Sequence, residues 1–252
     1  MRIVSLASGS HGNAYVVEHD GASLLIDCGI NFKTLAARLG ASPHFDGVLV
    51  THSHSDHVCG LPVLLKRFPE LSVYANVMTA ESVASELGVP DGSFVCFENG
   101  QSFGVSSFEI LPFQVPHDTS DPVGFLVSAG GETYFHATDV GTPLDSIGAR
   151  LAQADVATIE SNHDPVMLRR SGRPERLVRR ISGPRGHLSN DECCELVSRF
   201  ASPRLKRLAL AHLSGECNSP RVAMESMSAA LCGMGRCDVS VKALLQDEAV
   251  EI

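Results

Sequence analysis

The sequence has 252 residues, of which 44% are hydrophobic, and a formal net charge of −9. This hydrophobic content is enough for a large core and excludes a disordered chain. No apolar run reaches the roughly 18 residues of a membrane helix, and the acidic balance argues against general binding to polyanions.

Short apolar runs bounded by Gly, Pro, Asn and Asp predict a first half made mainly of strands. The predicted strands are Arg2–Ala7, Ala14–His19, Ser23–Asp27, Asp46–Val50, Ser72–Ala75, Phe94–Phe97, Ser107–Val115, Gly124–Ser128 and Thr133–Thr138, with helices at Phe32–Leu39 and Leu61–Phe68. After Asp139 the predicted elements are the helices Leu144–Ala152, Asp191–Phe200 and Arg221–Leu231 and the strands Val156–Glu160, Leu208–Ala211 and Val239–Ala243. This order predicts an α/β fold of sheets covered by helices, and the short loops favour one domain over residues 1–252.

Charge is spread unevenly along the chain. Residues 166–221 hold 12 Lys/Arg against five acidic residues. Such asymmetry is compatible with a local anion-binding face on an acidic body, or with an ordinary solvated helical surface. The apolar stretch at the N-terminus is too short for a secretory signal. We therefore expect a cytoplasmic protein without membrane contact, whose eight cysteines are reduced thiols.

The sharpest feature is the segment THSHSDH, residues 51–57, which directly follows a predicted buried strand. Side chains two apart in an extended segment point the same way, so His52, His54 and Asp56 are expected to converge. His57 comes one residue later, where the chain turns towards a helix, and is expected to face a different centre. Imidazole and carboxylate groups suit zinc, iron and manganese, and this density of them predicts a metal site.

Further residues of ligand type stand immediately beyond other apolar runs. They are His117 in QVPHD, Asp139 in HATDVG and His212 in LALAHLS. A hydrolytic centre needs several ligands per ion and an open position for water. The THSHSDH segment alone cannot supply this to two ions, so these three residues are candidate ligands.

Taken in this order, and with Asp27 in LLIDCG, these residues resemble the metallo-β-lactamase superfamily. The resemblance implies an αββα sandwich with two divalent metal ions (zinc, manganese or iron) at one edge. It implies that His52, His54 and His117 hold one ion, that Asp56, His57 and His212 hold the other, and that Asp139 is shared. It further implies that Asp27 holds the histidine segment in place.

Four other segments give a narrower resemblance, to the YycJ/WalJ family. They are ASGSHGN, IESNHD, GHLSNDE and AHLSGECN. The family usually has SGSSGN at the first of these, so His11 departs from its pattern. The resemblance implies phosphodiester chemistry on nucleic acid, with DNA favoured and exonuclease activity from a 5′ end; protein partners are not indicated.

The segment GHLSNDE itself predicts a helix start beside an anion. Ser189 and Glu192 have the spacing of a capping box, and apolar residues follow at helical intervals. His187 lies two residues before the cap, where free N–H groups and the helix dipole favour an anion. We therefore predict a catalytic or phosphate-binding role for His187. Glu160, at the end of a predicted strand, is a candidate to hydrogen-bond His187 and orient it.

Five residues are candidates for substrate contact. The Gly/Ser turn at residues 8–13 is of a kind that presents N–H groups to phosphate, although a tight turn alone also explains it. The basic stretch Arg169–Arg185 leads into His187. The candidates are Ser10, Asn13, Asn162, His163 and Arg185.

The predicted mechanism uses two ions about 3.5–4 Å apart that share a bridging hydroxide. Asp56 is expected to orient this hydroxide and take its proton, and His187 to protonate the leaving oxygen. A small-molecule phosphodiesterase would use the same site. A thioester or lactam hydrolase would share the metals but would gain nothing from the arginines and His187. An oxygen-reducing di-iron protein would carry an acidic residue at the position of His54.

Overall fold

The structure, a computed structural model, describes residues 1–40 and 43–252. Strands and helices alternate in an order close to the prediction. The strands are β1 (Arg2–Ala7), β2 (Ala14–His19), β3 (Ala22–Ile26), β4 (Gly47–Leu49), β5 (Val73–Asn76), β6 (Phe94–Phe97), β7 (Phe103–Val105), β8 (Phe108–Gln114), β9 (Val123–Ala129), β10 (Glu132–Ala137), β11 (Val156–Glu160), β12 (Arg207–Ala211), β13 (Ser240–Ala243) and β14 (Val250–Glu251). The helices are α1 (Phe32–Leu39), α2 (Ser55–Val58), α3 (Leu61–Arg67), α4 (Val77–Leu87), α5 (Asp145–Leu151), α6 (Pro165–Arg170), α7 (Glu175–Ile181), α8 (Asn190–Phe200) and α9 (Pro220–Gly233), with a 3-10 turn at Asp91–Ser93.

The strands form two seven-stranded mixed sheets. The first has the order β14-β1-β2-β3-β4-β5-β6 and the second β13-β12-β11-β10-β9-β8-β7. In the first sheet β3 to β6 run parallel, and in the second β10 to β13 run parallel, while the remaining neighbours are antiparallel.

Alternation along the strands creates three hydrophobic layers. On β3, Leu24 and Ile26 point to the layer between the sheets, whereas Leu25 points to the layer under α1, α3 and α4. On β10, Tyr134 joins the layer between the sheets and Phe135 joins the layer under α5, α8 and α9. Because successive side chains of a strand point to opposite faces, each sheet is buried on both faces. This confirms the predicted αββα sandwich.

Some elements were not predicted from the sequence. They are β7, β14, α2, α4, α6 and α7. Helices α6 and α7 have only six and seven residues, too few for a helical period to stand out. The edge strands β7 and β14 have three and two residues.

One pair of cysteines differs from the prediction of reduced thiols. Cys232 and Cys237, at the end of α9, are joined by a disulfide bond, and the prediction is wrong for this pair. The other six cysteines are free.

Within the described part of the chain, no helix combines the length and apolar character that crossing a bilayer requires.

Candidate metal centre

The residues predicted as metal ligands follow strands that end at the same edge of the sandwich. Strand β8 and strand β10 are both antiparallel to β9, so they run in one direction, and β11 and β12 are parallel to β10. His117 therefore lies near Asp139 and His212, each a few residues beyond its strand. In the other sheet, β3 and β4 run parallel and end side by side. Asp27 follows β3, and the THSHSDH segment follows β4. The strand ends thus bring the distant candidates together.

The THSHSDH segment changes conformation halfway. His54 is extended, with φ −60° and ψ 144°, and helix α2 begins at Ser55. The expectation that Asp56 continues the extended arrangement of His52 and His54 is therefore wrong, because Asp56 and His57 lie on a helical turn. Because of this turn, Asp56 belongs to the second group of ligand atoms described below.

Gly29 fixes the position of that turn. A Cβ atom at Gly29 would lie 1.6 Å from the carbonyl oxygen of Asp56. Only glycine allows this approach of two backbone segments. The close contact accounts for the glycine that ends LLIDCG.

Among the described residues the side chains form four overlapping groups of donor atoms, each within 4.8 Å of one another. Two of them are His52, His57 and Asp139, and Asp139, Glu160, His187 and His212. The other two share no residue with each other: His52, His54 and His117 make the first group, and Asp56, His57 and His212 make the second. Within the second group, Asp56 Oδ2 lies 3.6 Å from both His57 Nε2 and His212 Nε2. The two groups match the two ligand sets that the family resemblance implies.

Asp139 lies between the two groups. Its Oδ1 is 3.6 Å from His117 Nε2 in the first group and 3.6 Å from His212 Nδ1. Its Oδ2 is 3.2 Å from His57 Nε2 in the second group. One carboxylate therefore reaches both halves of the cluster.

Hydrogen bonds from the Nδ1 atoms fix the orientation of the imidazoles. His57 Nδ1 donates to Asp27 Oδ2 at 2.7 Å, and His117 Nδ1 donates to the Gly186 carbonyl at 3.0 Å. His212 Nδ1 donates to Glu160 Oε1 at 3.0 Å. A carboxylate or a carbonyl accepts only, so each ring keeps its proton on Nδ1 and has an Nε2 lone pair available for a cation.

Asp27 holds the histidine segment as predicted. Besides its bond to His57, its Oδ1 accepts from the Thr51 backbone N–H at 2.9 Å, and its Oδ2 accepts from the Thr51 hydroxyl at 2.9 Å. The same hydroxyl lies 3.0 Å from His52 Nδ1. One buried carboxylate thus fixes both ends of the segment.

Unsatisfied buried atoms show that the cluster fits divalent metal ions. His52 Nε2, His212 Nε2 and Asp139 Oδ2 are buried without a hydrogen-bond partner. Leaving a buried polar atom unpaired costs about 1–3 kcal/mol. All three are atoms that bind divalent transition metals well.

Of the six non-glycine residues with a left-handed backbone within residues 1–40 and 43–252, three lie in this cluster. Asp27, Asp139 and His212 have φ angles of 59°, 56° and 54°, and all three are buried. A left-handed conformation is uncommon outside glycine and tends to occur at functional sites. The strain is therefore consistent with a site that is selected for geometry at some cost in stability.

Carboxylates and imidazoles balance one another's charge in the cluster. Burial acts to lower the pKa of His212, but Asp139, Asp56 and Glu160 raise it to about 10. Burial likewise acts to raise the pKa of Glu160, but His187 and His212 lower it to about 2. A cation that binds His212 must therefore displace a proton, and binding should release protons to the solvent.

His187 lies beside the cluster and is held by Glu160. Its Nδ1 donates to Glu160 Oε1 at 2.8 Å, which is the hydrogen bond that the sequence predicted. Ser189 caps α8 in a capping box with Glu192, also as predicted. His187 is 19% exposed, whereas Glu160 is fully buried. The imidazole is therefore oriented by a buried carboxylate at the border of an open cavity.

A cavity of about 260 Å³ opens over the cluster. His187, Asp56 and Asp139 face it, and so do two of the residues predicted to contact substrate, Ser10 and Asn162. The Asn162 amide also donates to the carbonyl of His212 at 2.8 Å.

The other three residues predicted to contact substrate do not line this cavity. Asn13 is fully buried, and its amide lies 3.1 Å from His57 Nε2. His163 is buried, and its carbonyl accepts from the Asn190 N–H. Arg185 turns away and donates through Nε to the His117 carbonyl at 2.9 Å. The structure therefore places these three beside the cavity and not in its lining, and substrate contact by them stays a prediction.

Sequence reasoning did not single out several residues of the cavity. Arg173, Arg180, Leu177 and Ser214 also line it. Asp118 accepts from Arg180 Nε at 2.7 Å and lies 3.4 Å from His117 Nε2. The basic composition of residues 166–221 was the available signal, but it does not tell which arginines face the cavity.

Comparisons with known proteins agree with this geometry. Residues 23–212 match the family model described as "Beta-lactamase superfamily domain". The chain is 34% identical over 229 residues to the exodeoxyribonuclease WalJ of Streptococcus pneumoniae serotype 2, covering 88% of this chain and 85% of that protein. It is 32% identical over 231 residues to the exodeoxyribonuclease YycJ of Bacillus anthracis, covering 90% and 87%.

A solved structure shows the same fold at lower identity. Zn²⁺-bound PqqB from Methylobacterium extorquens superposes with a TM-score of 0.74 at 16% identity, covering 100% of this chain and 99% of that one. At that identity the likeness concerns the fold alone.

Proposed function

This chain belongs to the metallo-β-lactamase superfamily as a YycJ/WalJ-like hydrolase, and on that premise we propose that it is a metal-dependent exonuclease that degrades DNA from the 5′ end. The observation that carries the proposal is the cluster of metal-binding side chains with the His187–Glu160 pair at its border. Both relatives described above are named exodeoxyribonucleases. A cytoplasmic location and a single domain over residues 1–252 remain predictions from the sequence.

We propose two metal ions per chain, one on each group of ligands. The charge around the cluster supports this number. Five carboxylates lie within 4 Å of the histidines of the cluster, and Arg180 pairs with that of Asp118, which leaves four, from Asp27, Asp56, Asp139 and Glu160. Histidines that bind a metal are neutral, so two divalent ions would balance the four negative charges. A donor set of imidazoles and carboxylates suits zinc, manganese or iron.

When bound, the metal ions would activate water and withdraw charge from phosphate oxygens. In the proposed mechanism Asp56 orients the attacking water and accepts its proton. The contacts of Asp56 with His57 and His212 and its partial exposure to the cavity support this role. Glu160 keeps His187 Nδ1 protonated and bonded, so His187 Nε2 remains for the substrate, where it donates a proton to the leaving oxygen.

Single-stranded DNA labelled at either end tests the function. Metal-loaded protein should release a 5′ label in small products at once, while a 3′ label should remain on strands that shorten progressively. Chelation should stop both. The same strands made of RNA test the preference for DNA.

Two results would contradict the proposal. Release of the 3′ label first would overturn the 5′ polarity. Hydrolysis of bis(p-nitrophenyl) phosphate without cleavage of any strand would instead identify a small-molecule phosphodiesterase.

A further inference from the structure

Among the residues of the basic stretch, only one face of α7 and the residues just before it point into the cavity. Arg173, Leu177, Arg180 and Ile181 line the cavity. Leu177, Arg180 and Ile181 are three and one residues apart and so lie on one face of α7, while Arg173 lies two residues before the helix begins. Arg176 and Arg179, on the same segment, are exposed and do not line it. Of the arginines in the basic stretch Arg169–Arg185, Arg173 and Arg180 are therefore the two that line the cavity.

Each of these two arginines is tied to a different side of the cluster. Arg180 Nε donates to Asp118 Oδ2 at 2.7 Å, and Asp118 follows the candidate ligand His117. Arg173 Nη2 donates to Glu216 Oε2 at 2.9 Å, and Glu216 lies in the loop that follows His212. The two guanidinium groups therefore stand towards opposite halves of the cluster.

Both arginines keep donors for a ligand. A guanidinium has five N–H donors in a planar fork that matches phosphate. Within residues 1–40 and 43–252, hydrogen bonds use only Nε of the Arg180 guanidinium and only Nη2 of the Arg173 guanidinium. Arg173 Nε is buried without a partner. The acidic partners thus orient the two side chains without using up their donors.

The apolar residues between the arginines complete the match to a nucleic acid strand. Leu177 and Ile181 stand on the same face as the two cations. A DNA strand repeats a charged phosphate and a less polar sugar and base, and proteins bind single strands through such basic grooves with apolar contacts.

Resting on the function proposed above, we propose that this face of α7 with Arg173 binds a single DNA strand at the active site. Arg173 and Arg180 contact the phosphates on either side of the scissile one, and Leu177 and Ile181 contact the sugar and base between them. The proposed ligand of this face is therefore the backbone of the strand that carries the scissile phosphate.

Four alanine variants with the same change of charge test the assignment. Arg173→Ala and Arg180→Ala should each raise KM for a single-stranded oligonucleotide about 10-fold, with kcat changed less than about threefold. The dependence of log(1/KM) on log salt between about 50 and 200 mM should lose roughly 0.7 of its slope for each lost phosphate contact. Arg176→Ala and Arg179→Ala are the matched controls and should stay within about twofold of the unchanged protein in KM.

The outcomes separate this assignment from the proposed function. Arg176→Ala and Arg179→Ala should also keep the activity of the unchanged protein on bis(p-nitrophenyl) phosphate. The loss in Arg173→Ala and Arg180→Ala should be smaller on this ester than on DNA, because the ester has no flanking phosphates. Equal losses on DNA in all four would overturn the assignment and leave only a general effect of charge. Failure of the unchanged protein to cut any strand would instead overturn the proposed function.

Discussion

Asp139→Ala is expected to remove both metal ions and to lower DNA hydrolysis by about 10³-fold or more. Asp139 is the side chain that reaches both ligand groups, at 3.6 Å from His117 Nε2 and 3.2 Å from His57 Nε2. Metal ions supply several kcal/mol of charge stabilisation to such reactions, and each 1.36 kcal/mol corresponds to about a tenfold change in rate. Metal content per chain and the rate of hydrolysis should be measured on the same preparation.

Two further variants distinguish the loss of metal ions from a loss of the fold. Asp139 has a φ of 56°, which alanine tolerates poorly and asparagine tolerates better. Asp139→Asn should therefore retain the fold, checked by circular dichroism, and still lose metal. His117→Ala should weaken mainly one site and leave close to one ion per chain. Retention of two ions and of activity in Asp139→Asn would show that Asp139 does not bridge the ions.

His187→Ala is expected to slow hydrolysis of DNA by roughly 10²–10⁴-fold while the metal ions stay bound. His187 is not among the seven proposed metal ligands, and its Nδ1 is bonded to Glu160 at 2.8 Å. If His187 donates a proton to the leaving oxygen, the loss should shrink on a nitrophenyl ester, whose leaving group needs little protonation. Metal content and the rates on both substrates decide between its possible roles.

Each alternative role of His187 gives a different pattern. A residue that only contacts phosphate should weaken binding of both substrates alike. A metal ligand should lose metal on substitution, which is a real alternative since His187 Nδ1 also lies 3.5 Å from Asp139 Oδ1. Unchanged rates on both substrates would mean that His187 has no part in the reaction.

The ligand cluster could be predicted because its physical causes are local. His117, Asp139 and His212 are residues of ligand type directly beyond apolar runs, and the ends of parallel strands meet at one edge of a sheet. The contact between Glu160 and His187 followed from the same reasoning, since one ends a strand and the other precedes a helix cap. Such features can be read without knowing the contacts between distant parts of the chain.

The substrate side of the cavity depends on contacts that the sequence does not display. Whether an arginine of α7 faces the cavity is decided by the packing of a seven-residue helix. Arg185 stands in the same basic stretch, yet its side chain bonds the backbone at His117. Asn13 lies in a turn suited to phosphate, but close packing against Asp56 and His57 buries it. These differences arise from tertiary packing, which overrides the local pattern.

The turn at α2 shows that distant contacts also override the local sequence pattern within the THSHSDH segment. Alternation along an extended strand put His52, His54 and Asp56 on one side, but the chain becomes helical at Ser55. The conformation depends on Gly29, 26 residues before Ser55 in the sequence, whose contact with the Asp56 carbonyl fixes the turn. The motif alone therefore identifies candidate ligands but not which of the two groups each one joins.

Titration of metal-stripped protein with zinc or manganese tests the central claim most directly. Bound metal per chain and hydrolysis of single-stranded DNA should be followed together in each sample. We predict that hydrolysis is absent at the start, rises with bound metal and saturates at two ions per chain. Undiminished hydrolysis by the metal-stripped protein would contradict the claim that this cluster is the catalytic metal centre.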